Sequence, residues 1–148
     1  MKINNIIQTY DKYINAFKKF AEPIFALALR VYIFNDMFRS GWLKFLDLIN
    51  GAWSNQVYLF ANEFKVPIIN PSVAAFLSMI NEVGIASLLL VGLFTRFSAL
   101  ALLGMAIVIE LTYIHHLQHI VWITMLTYLM IYGGGCISVD KLLRKKLT

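Results

Sequence analysis

The stretch that decides the fold is PSVAAFLSMINEVGIASLLLVGLFTRFSALALLGMAIVIELTYI, residues 71–114, in which two apolar runs flank a short turn. The runs, 71–91 and 97–114, come close to the ~20 residues that a helix needs to cross ~30 Å of hydrocarbon. Asn70 followed by Pro71 supplies a cap and a first-turn proline for the first run. Because the turn at 92–96 is so short, we predict two antiparallel, neighbouring helices in a membrane.

Two further apolar runs, 21–41 and 117–132, extend this hairpin to four helices. The chain is 59% hydrophobic and 14% charged, with a mean hydropathy of +0.69. Soluble domains are about 45–50% apolar and about 25% charged, so a soluble protein is excluded. The sequence predicts an all-α integral membrane protein, a single domain over 1–148 that forms a four-transmembrane-helix bundle.

The N-terminal segment, residues 1–20, carries apolar residues at helical spacing with a polar opposite face. This pattern predicts an amphipathic helix lying in the membrane interface. We expect a separate helix to begin at Glu22-Pro23, with the proline in its first turn, and to end near Ser40-Gly41. The first span is thus predicted to be distinct from the interfacial helix.

The connection 42–70 is long and rich in interfacial aromatic residues. Apolar positions within 57–64 follow helical spacing and predict a short surface helix over the outer end of the bundle. At the other end of the chain, Gly133-Gly134-Gly135 should break the fourth helix. A basic cytoplasmic tail helix is expected over 138–148.

The basic residues are placed asymmetrically along the chain, whose net charge is +5. With four crossings, nine of the thirteen fall on one side, which predicts a multi-pass membrane protein with both termini cytoplasmic. Clusters beside membrane spans favour the lipid bilayer as their partner and argue against nucleic acid. These residues are Lys2, Lys12, Lys18, Lys19, Arg96, Lys141, Arg144, Lys145 and Lys146.

Ionisable and polar side chains interrupt the first three runs, where a charge costs ~3 kcal/mol. Such groups face the bundle interior and pair. We expect Arg30 to pair with Glu82, since both lie near mid-depth, and Asp36 to meet Arg39 on one helical face. The cluster indicates either a polar cavity or buried salt bridges that fix helix register. The candidate intramembrane polar site comprises Arg30, Asp36, Arg39, Glu82 and Glu110.

Three histidines near the predicted outer turn, His115, His116 and His119, have the spacing of metal or haem ligands, and Glu110 lies nearby. No second cluster completes a ligand set, so no metal is expected and an interfacial or substrate-contacting role is favoured. The single cysteine, Cys136, is expected to be a buried bystander thiol. No phosphate-binding loop or other cofactor motif is evident.

The order and spacing of several short motifs resemble the DoxX family of small bacterial membrane proteins over nearly the whole chain. The matching residues are Arg30, Ser40-Gly41, Lys44, Glu63-Phe64-Lys65-Val66-Pro67, Glu82, Gly92-Leu93-Phe94-Thr95-Arg96, His119, Trp122, Gly133-Gly134-Gly135 and Ser138-Val139-Asp140.

The resemblance implies a four-helix membrane protein related to subunits of thiosulfate:quinone oxidoreductase, with other members associated with membrane redox and oxidative-stress complexes. Many members have no assigned activity, so the resemblance says more about fold than function. It points to Arg96 and Asp140 at the inner face. The candidate outer-loop and lid contacts are Lys44, Glu63, Pro67, His119 and Trp122.

Three functions remain open from the sequence. The first is a subunit or accessory of a quinone-linked redox system, with a bound quinone, Glu82 as proton carrier and Arg30 stabilising negative charge. Its cavity would be closed by the 53–67 loop. The second is a non-catalytic membrane anchor or assembly partner for a soluble redox protein. The third is permeation of a small solute or lipid, which would require a homo-oligomer.

Overall fold

The computed structural model describes residues 2–113 and 115–147, and over these residues the backbone is helical with short connections and no strand. Two π-helical turns, Phe60–Phe64 and Asn81–Ile85, interrupt the α-helices. The α-helices are α1 (Lys2–Ile49), α2 (Trp53–Leu59), α3 (Pro71–Ile80), α4 (Ala86–Val91), α5 (Thr95–Thr112), α6 (Leu117–Tyr132) and α7 (Val139–Leu147).

The first helix differs most from the prediction, because α1 is continuous over 48 residues, about 72 Å at 1.5 Å per residue. No boundary separates residues 1–20 from the first span, and Pro23 lies inside the helix rather than in its first turn. The side chains of residues 1–6 and 9, which include Ile3 and Ile6 of the predicted interfacial stripe, are outside the described residues. Ile7, Tyr10 and Phe17, farther along it, are exposed.

The first helix was predicted to end near Gly41, but it does not end there. A Cβ on Gly41 would lie 2.6 Å from the Cβ of Glu82 and 2.9 Å from a methyl carbon of Val83. The glycine therefore permits α1 to approach the second helical segment closely, as small residues do at membrane helix contacts. The helix continues beyond it to Ile49.

The stretch 71–114 forms the expected helical hairpin. The side chain of Asn70 accepts a hydrogen bond from the Ser72 amide and Pro71 occupies the first turn, which confirms the predicted helix start. The runs Pro71–Val91 and Thr95–Thr112 are both long and apolar enough to cross a membrane, whereas α6 is a shorter apolar helix. Apolar residues of α1, α4, α5 and α6 form one core, with Ile33, Leu89, Leu102, Leu126 and Leu129 at its centre.

The bundle has two ends that differ in construction. The loop end carries the connection from Asn50 to Asn70 and the turn between α5 and α6. The tail end carries the turn between α4 and α5 and the segment 133–138 that leads to α7. At the loop end, α2 and the π-helical turn after it confirm the predicted surface helix. The Gln56 amide donates to Asp47 of α1 at 2.6 Å and holds this helix in place.

Candidate functional site

A cavity of about 370 Å³ lies toward the loop end, between α1, the α3–α4 segment, α5 and α6. Most of its wall is apolar, from side chains such as Leu77, Leu100 and Met105. Ionisable groups from three helical segments lie in the same wall, and the polar clusters that they form are described next. An apolar cavity with a few convergent polar groups is the usual form of a small-molecule site.

The first polar cluster is a buried ion pair between α1 and the second π-helical turn. The Lys44 ammonium lies 2.6 Å from Oε2 of Glu82, and the two side chains are only 10% and 5% exposed. Lys44 also donates to Ser40 at 2.8 Å, and Ser78 donates to Oε1 of Glu82 at 3.0 Å. An ammonium has three N–H donors, so one remains for a ligand in the cavity.

The local backbone brings this pair together. Glu82 lies in the π-helical turn Asn81–Ile85, and π-helical turns inside α-helices are frequent at functional sites. The close approach at Gly41 places α1 against that turn, one helical turn from Lys44. Asn81, from the same π-helical turn, also lines the cavity. Thus the irregular segment and the glycine contact together set the position of the ion pair.

The second polar cluster surrounds Asp36, eight residues before Lys44 and thus about 12 Å away along α1. Its Oδ2 accepts hydrogen bonds from the Gln118 amide at 2.6 Å and from the Trp122 indole at 3.2 Å. Both donors are neutral. Arg39, the partner predicted from sequence, is exposed and forms no ion pair with Asp36 among the described contacts, so that pairing is wrong.

Glu110 connects two of the three histidines. Its Oε2 lies 2.9 Å from Nδ1 of His119, and its Oε1 lies 2.8 Å from Nδ1 of His115. His119 is buried, lines the cavity and packs its ring against Trp122, with the ring centroids 5.4 Å apart. His116 is exposed and lies outside the cavity wall. The described residues hold no group of three or more metal-ligating side chains placed to bind a metal ion.

The connection at the loop end covers the cavity with aromatic side chains. Phe60 and Phe64 line it, and Phe64 stacks on Tyr113 of the α5–α6 turn with centroids 4.7 Å apart. Of the predicted lid contacts, Glu63 accepts a hydrogen bond from the Tyr113 hydroxyl at 3.4 Å, whereas Pro67 is exposed and outside the cavity wall. The loop-end side of the cavity is thus lined by apolar side chains of this connection, including Phe60 and Phe64, rather than by its charged residues.

Arg30 is not part of the cavity, and its predicted pairing with Glu82 is wrong. Its guanidinium, only 1% exposed, donates to the carbonyl oxygens of Ala26, Leu90 and Ile137 at the tail end. It lies fourteen residues, about 21 Å, from Lys44 along α1. Arg30 and Glu82 were expected at the same depth because the first span was taken to end at residue 41. Since α1 continues to Ile49, the residue of α1 that lies beside Glu82 is Lys44, nearer the loop end.

Asp140 completes the tail end. Its carboxylate accepts the backbone N–H groups of Phe94 and Thr95 and the Thr95 hydroxyl, each at 2.8 Å, and so caps α5 from a distant part of the chain. Burial alone would raise the pKa of Asp140, but these hydrogen bonds from Thr95 and Phe94 outweigh it and lower the pKa. Arg96 and Asp140 line an open groove of about 650 Å³, where Cys136 is exposed rather than buried.

Sequence reasoning missed the partner of Glu82. Lys44 was assigned to the outer connection because the first span was ended at residue 41. The signal was present: Met37, Gly41 and Lys44 continue the buried stripe of α1 at helical spacing from Ile33. Ser78, four residues before Glu82, could have been found in the same way. The capping role of Asp140 depends on a long-range contact that no local pattern reports.

Comparison with known proteins gives one match. The model of the DoxX family matches residues 25–116, which is more than half of the chain. This range contains α1 from Phe25 onward, the helical hairpin, and the turn with His115 and His116. Comparison with curated proteins and with solved structures found no significant match.

Proposed function

The chain belongs to the DoxX family, and from this premise we propose that its cavity binds the head group of a quinone, as part of a quinone-linked membrane redox system. Family membership and the apolar helices indicate a membrane protein. We further propose that the protein lies in the bacterial inner membrane, that its cavity opens toward the lipid, and that a partner protein exchanges electrons with the bound quinone.

The proposed topology has four crossings. The part of α1 after Pro23 forms the first, Pro71–Val91 and Thr95–Thr112 form the second and third, and Leu117–Tyr132 forms the fourth. In this arrangement both termini and the tail end are cytoplasmic, in keeping with the basic residues there. The loop end then faces the outside. Because it contains charged residues, α1 is not among the helices that are apolar enough to cross a membrane by composition alone. Two of these residues, Arg30 and Lys44, are buried within the bundle.

The observation that carries the proposal is the buried Lys44–Glu82 ion pair in the wall of an otherwise apolar cavity. Desolvating such a pair costs several kcal/mol per ion, which the mutual attraction only partly offsets. Ionisable residues kept within a membrane protein at that cost commonly mark a site. An apolar slot with a donor at one corner fits the ring and the carbonyl oxygen of a quinone.

In this proposal the polar residues of the cavity wall have different roles. The third N–H of Lys44 donates to a carbonyl oxygen of the quinone, while Glu82 and Ser40 hold the ammonium in position. Asp36, held by neutral donors, is able to exchange a proton with the ligand. Reduction to a quinol takes up two protons and two electrons. In this proposal the electrons come from the partner redox protein, and this chain supplies binding and proton exchange.

A second function, a membrane anchor for a soluble redox protein, is favoured by the N-terminal part of α1. Tyr10, Tyr13, Phe17 and Phe20 are each more than 60% exposed there. A row of exposed aromatic side chains on a projecting helix is a surface to which a partner or the membrane interface can bind. This function does not need the cavity, and the experiment below separates the two.

The test fills the cavity without disturbing the fold. A Cβ placed on Gly104 of α5 meets no atom within 4 Å, and Gly104 lines the cavity. Gly84 has the same free space but lies outside the cavity wall, so Gly84→Leu is the matched control for Gly104→Leu. The measurement is the melting temperature of the purified protein with a short-chain ubiquinone analogue.

For the native protein and Gly84→Leu, a ligand at 100 times its dissociation constant adds ~2.7 kcal/mol, which raises the melting temperature by roughly 5–10 °C. Gly104→Leu should be folded and show no such rise. If the analogue stabilises none of the three proteins, the quinone proposal fails and the anchor function is favoured. Equal stabilisation of all three would place the ligand outside this cavity.

A further inference from the structure

Three titratable side chains form a continuous hydrogen-bonded chain between the surface of the loop end and the cavity. His115 is 83% exposed at its side chain, Glu110 is 18% exposed and His119 is 10% exposed. Each neighbouring pair is in contact, at 2.8 Å between His115 and Glu110 and at 2.9 Å between Glu110 and His119. The inner member, His119, lines the cavity.

The bonding pattern leaves the two outer nitrogens of the chain available. Both histidines contact Glu110 through Nδ1, so Nε2 of His119 is the nitrogen left for a ligand. Nε2 of His115 is correspondingly left for water at the exposed surface. Each imidazole can accept a proton at one nitrogen and release one from the other, which is the property a proton relay requires.

We propose that His119, Glu110 and His115 form a proton path between the cavity and the aqueous phase at the loop end. The inference rests on the proposed function, because only a ligand that gains or loses protons needs such a path. It assigns to Glu110 and the histidines a role distinct from that of the Lys44–Glu82 pair, which positions the ligand.

The transfer balances at each atom. A proton from a ligand hydroxyl enters His119 at Nε2, and the proton on Nδ1 passes to Oε2 of Glu110. The carboxyl group then rotates and passes this proton to Nδ1 of His115, whose Nε2 proton leaves to water. Tautomer exchange in both imidazoles then restores the starting arrangement. The reverse sequence delivers a proton to the cavity.

Other charged or titratable groups near the path lie on several elements. His116 precedes α6, and its ring centroid is 6.1 Å from that of His119. Asp36 of α1 contacts Gln118 and Trp122, the neighbours of His119 on α6. Tyr113 of the α5–α6 turn and Glu63 of the loop-end connection contact each other. Among the described contacts, none of these four residues forms a hydrogen bond with Glu110. The path through the carboxylate is therefore defined by the two histidines.

The experiment needs no quinone, so its failure is separate from failure of the proposed function. Trp122 packs against His119, and a protonated imidazole quenches a neighbouring indole. In a Trp42→Phe, Trp53→Phe background, Trp122 fluorescence in single-orientation vesicles reports the protonation of His119. The measurement is the fluorescence change after a stopped-flow pH jump on the loop-end side. The variants are Glu110→Gln and His115→Gln, with His116→Gln as the matched control.

His115→Gln should slow the response by roughly 100-fold or more and leave its equilibrium midpoint unchanged, since the Glu110–His119 contact is kept. Glu110→Gln should slow the response and also shift the midpoint, whereas His116→Gln should change neither. A structural role alone would alter melting temperature without changing the rate. Equal rates in the native protein, His115→Gln and Glu110→Gln would overturn the proposed path.

Discussion

The tail end and the loop end each bury charged side chains at positions where a membrane protein would be expected to exclude them, but the partners differ. At the tail end, Arg30 donates to backbone carbonyls and Asp140 accepts backbone N–H groups and the Thr95 hydroxyl. At the loop end, Lys44 and Glu82 bind each other beside a cavity. Under the proposed function, the partner of each buried charge separates a structural role at the tail end from a binding role at the loop end.

The buried charges at the tail end bind backbone groups because two helix ends meet there. The last carbonyls and first N–H groups of a helix lack intrahelical partners. Arg30 binds a carbonyl near the end of α4, and Asp140 caps the start of α5. Gly92 lies between Arg30 and Ser138, since a Cβ there would be 2.5 Å from Nη1 of Arg30 and 2.6 Å from Cβ of Ser138. Replacing tail-end residues should therefore lower stability, whereas replacing loop-end residues should lower ligand affinity.

The largest expected effect is at Arg30. Arg30→Met removes charge-assisted hydrogen bonds to two long-range carbonyls and leaves those carbonyls buried, which should lower the free energy of unfolding by roughly 4 kcal/mol. Arg39→Met is the matched control, because Arg39 is on the same helix and exposed. Denaturation of the purified proteins in detergent provides the measurement. A loss of similar size in both variants would remove the special role assigned to the tail end.

The next effect is at the ion pair. Glu82→Gln leaves the Lys44 ammonium buried without a counter-charge, which should cost about 3 kcal/mol of unfolding free energy. Lys44→Met combined with Glu82→Gln should cost less than the sum of the single changes, since neither charge is then left alone. The double-mutant cycle measures this coupling directly. Strict additivity would show that the two groups are not energetically paired.

A smaller effect is expected from Gly92→Ala. Its φ of +73° is unfavourable for alanine, and the new Cβ would lie 2.5 Å from Nη1 of Arg30 and 2.6 Å from Cβ of Ser138. A loss of roughly 2 kcal/mol is expected. Gly84→Ala, where a Cβ meets no atom within 4 Å, should be neutral or slightly stabilising. Thermal unfolding of both variants tests whether the tail end is packed as tightly as described.

The smallest effect concerns pH. The pKa of Asp140 is lowered in the folded protein, so its contribution to stability is present above its ordinary value of 3.8 and is lost as pH falls through the lowered pKa. Asp140→Asn should cost about 1 kcal/mol near neutral pH, comparable to loss of a helix cap. The difference in melting temperature from the native protein should shrink on acidification below that range. A constant difference would mean that the charge of Asp140 does not stabilise the cap.

Local patterns predicted much of the fold. The apolar hairpin, the Asn70 cap with Pro71, the surface helix of the connection and the break at the glycine run follow from short-range chemistry. The length of α1 did not, because Pro23 and Gly41 normally mark helix boundaries and here accommodate close neighbours instead. Proline is tolerated within α1 although it removes one backbone hydrogen bond.

The candidate site was predicted in its residue types but not in its pairings. Glu82 and Asp36 were singled out because polar groups in apolar runs are costly, and His119 because of the histidine spacing and the family resemblance. The structure brings all three to one cavity. Whether that cavity is a site stays a prediction. Arg30 was placed with them because depth was counted along a helix of the wrong length. Long-range contacts, such as that of Asp140 with Thr95, require the tertiary structure.

The most direct test of the central claim is the dissociation constant of a short-chain ubiquinone analogue, measured by calorimetry for three proteins. Asp140→Asn, a mild tail-end variant, should bind like the native protein. The loop-end double variant Lys44→Met with Glu82→Gln should bind at least roughly tenfold more weakly, the equivalent of losing one charge-assisted hydrogen bond. Equal affinities in all three proteins, or a greater loss in Asp140→Asn, would contradict the division between a structural tail end and a ligand-binding loop end.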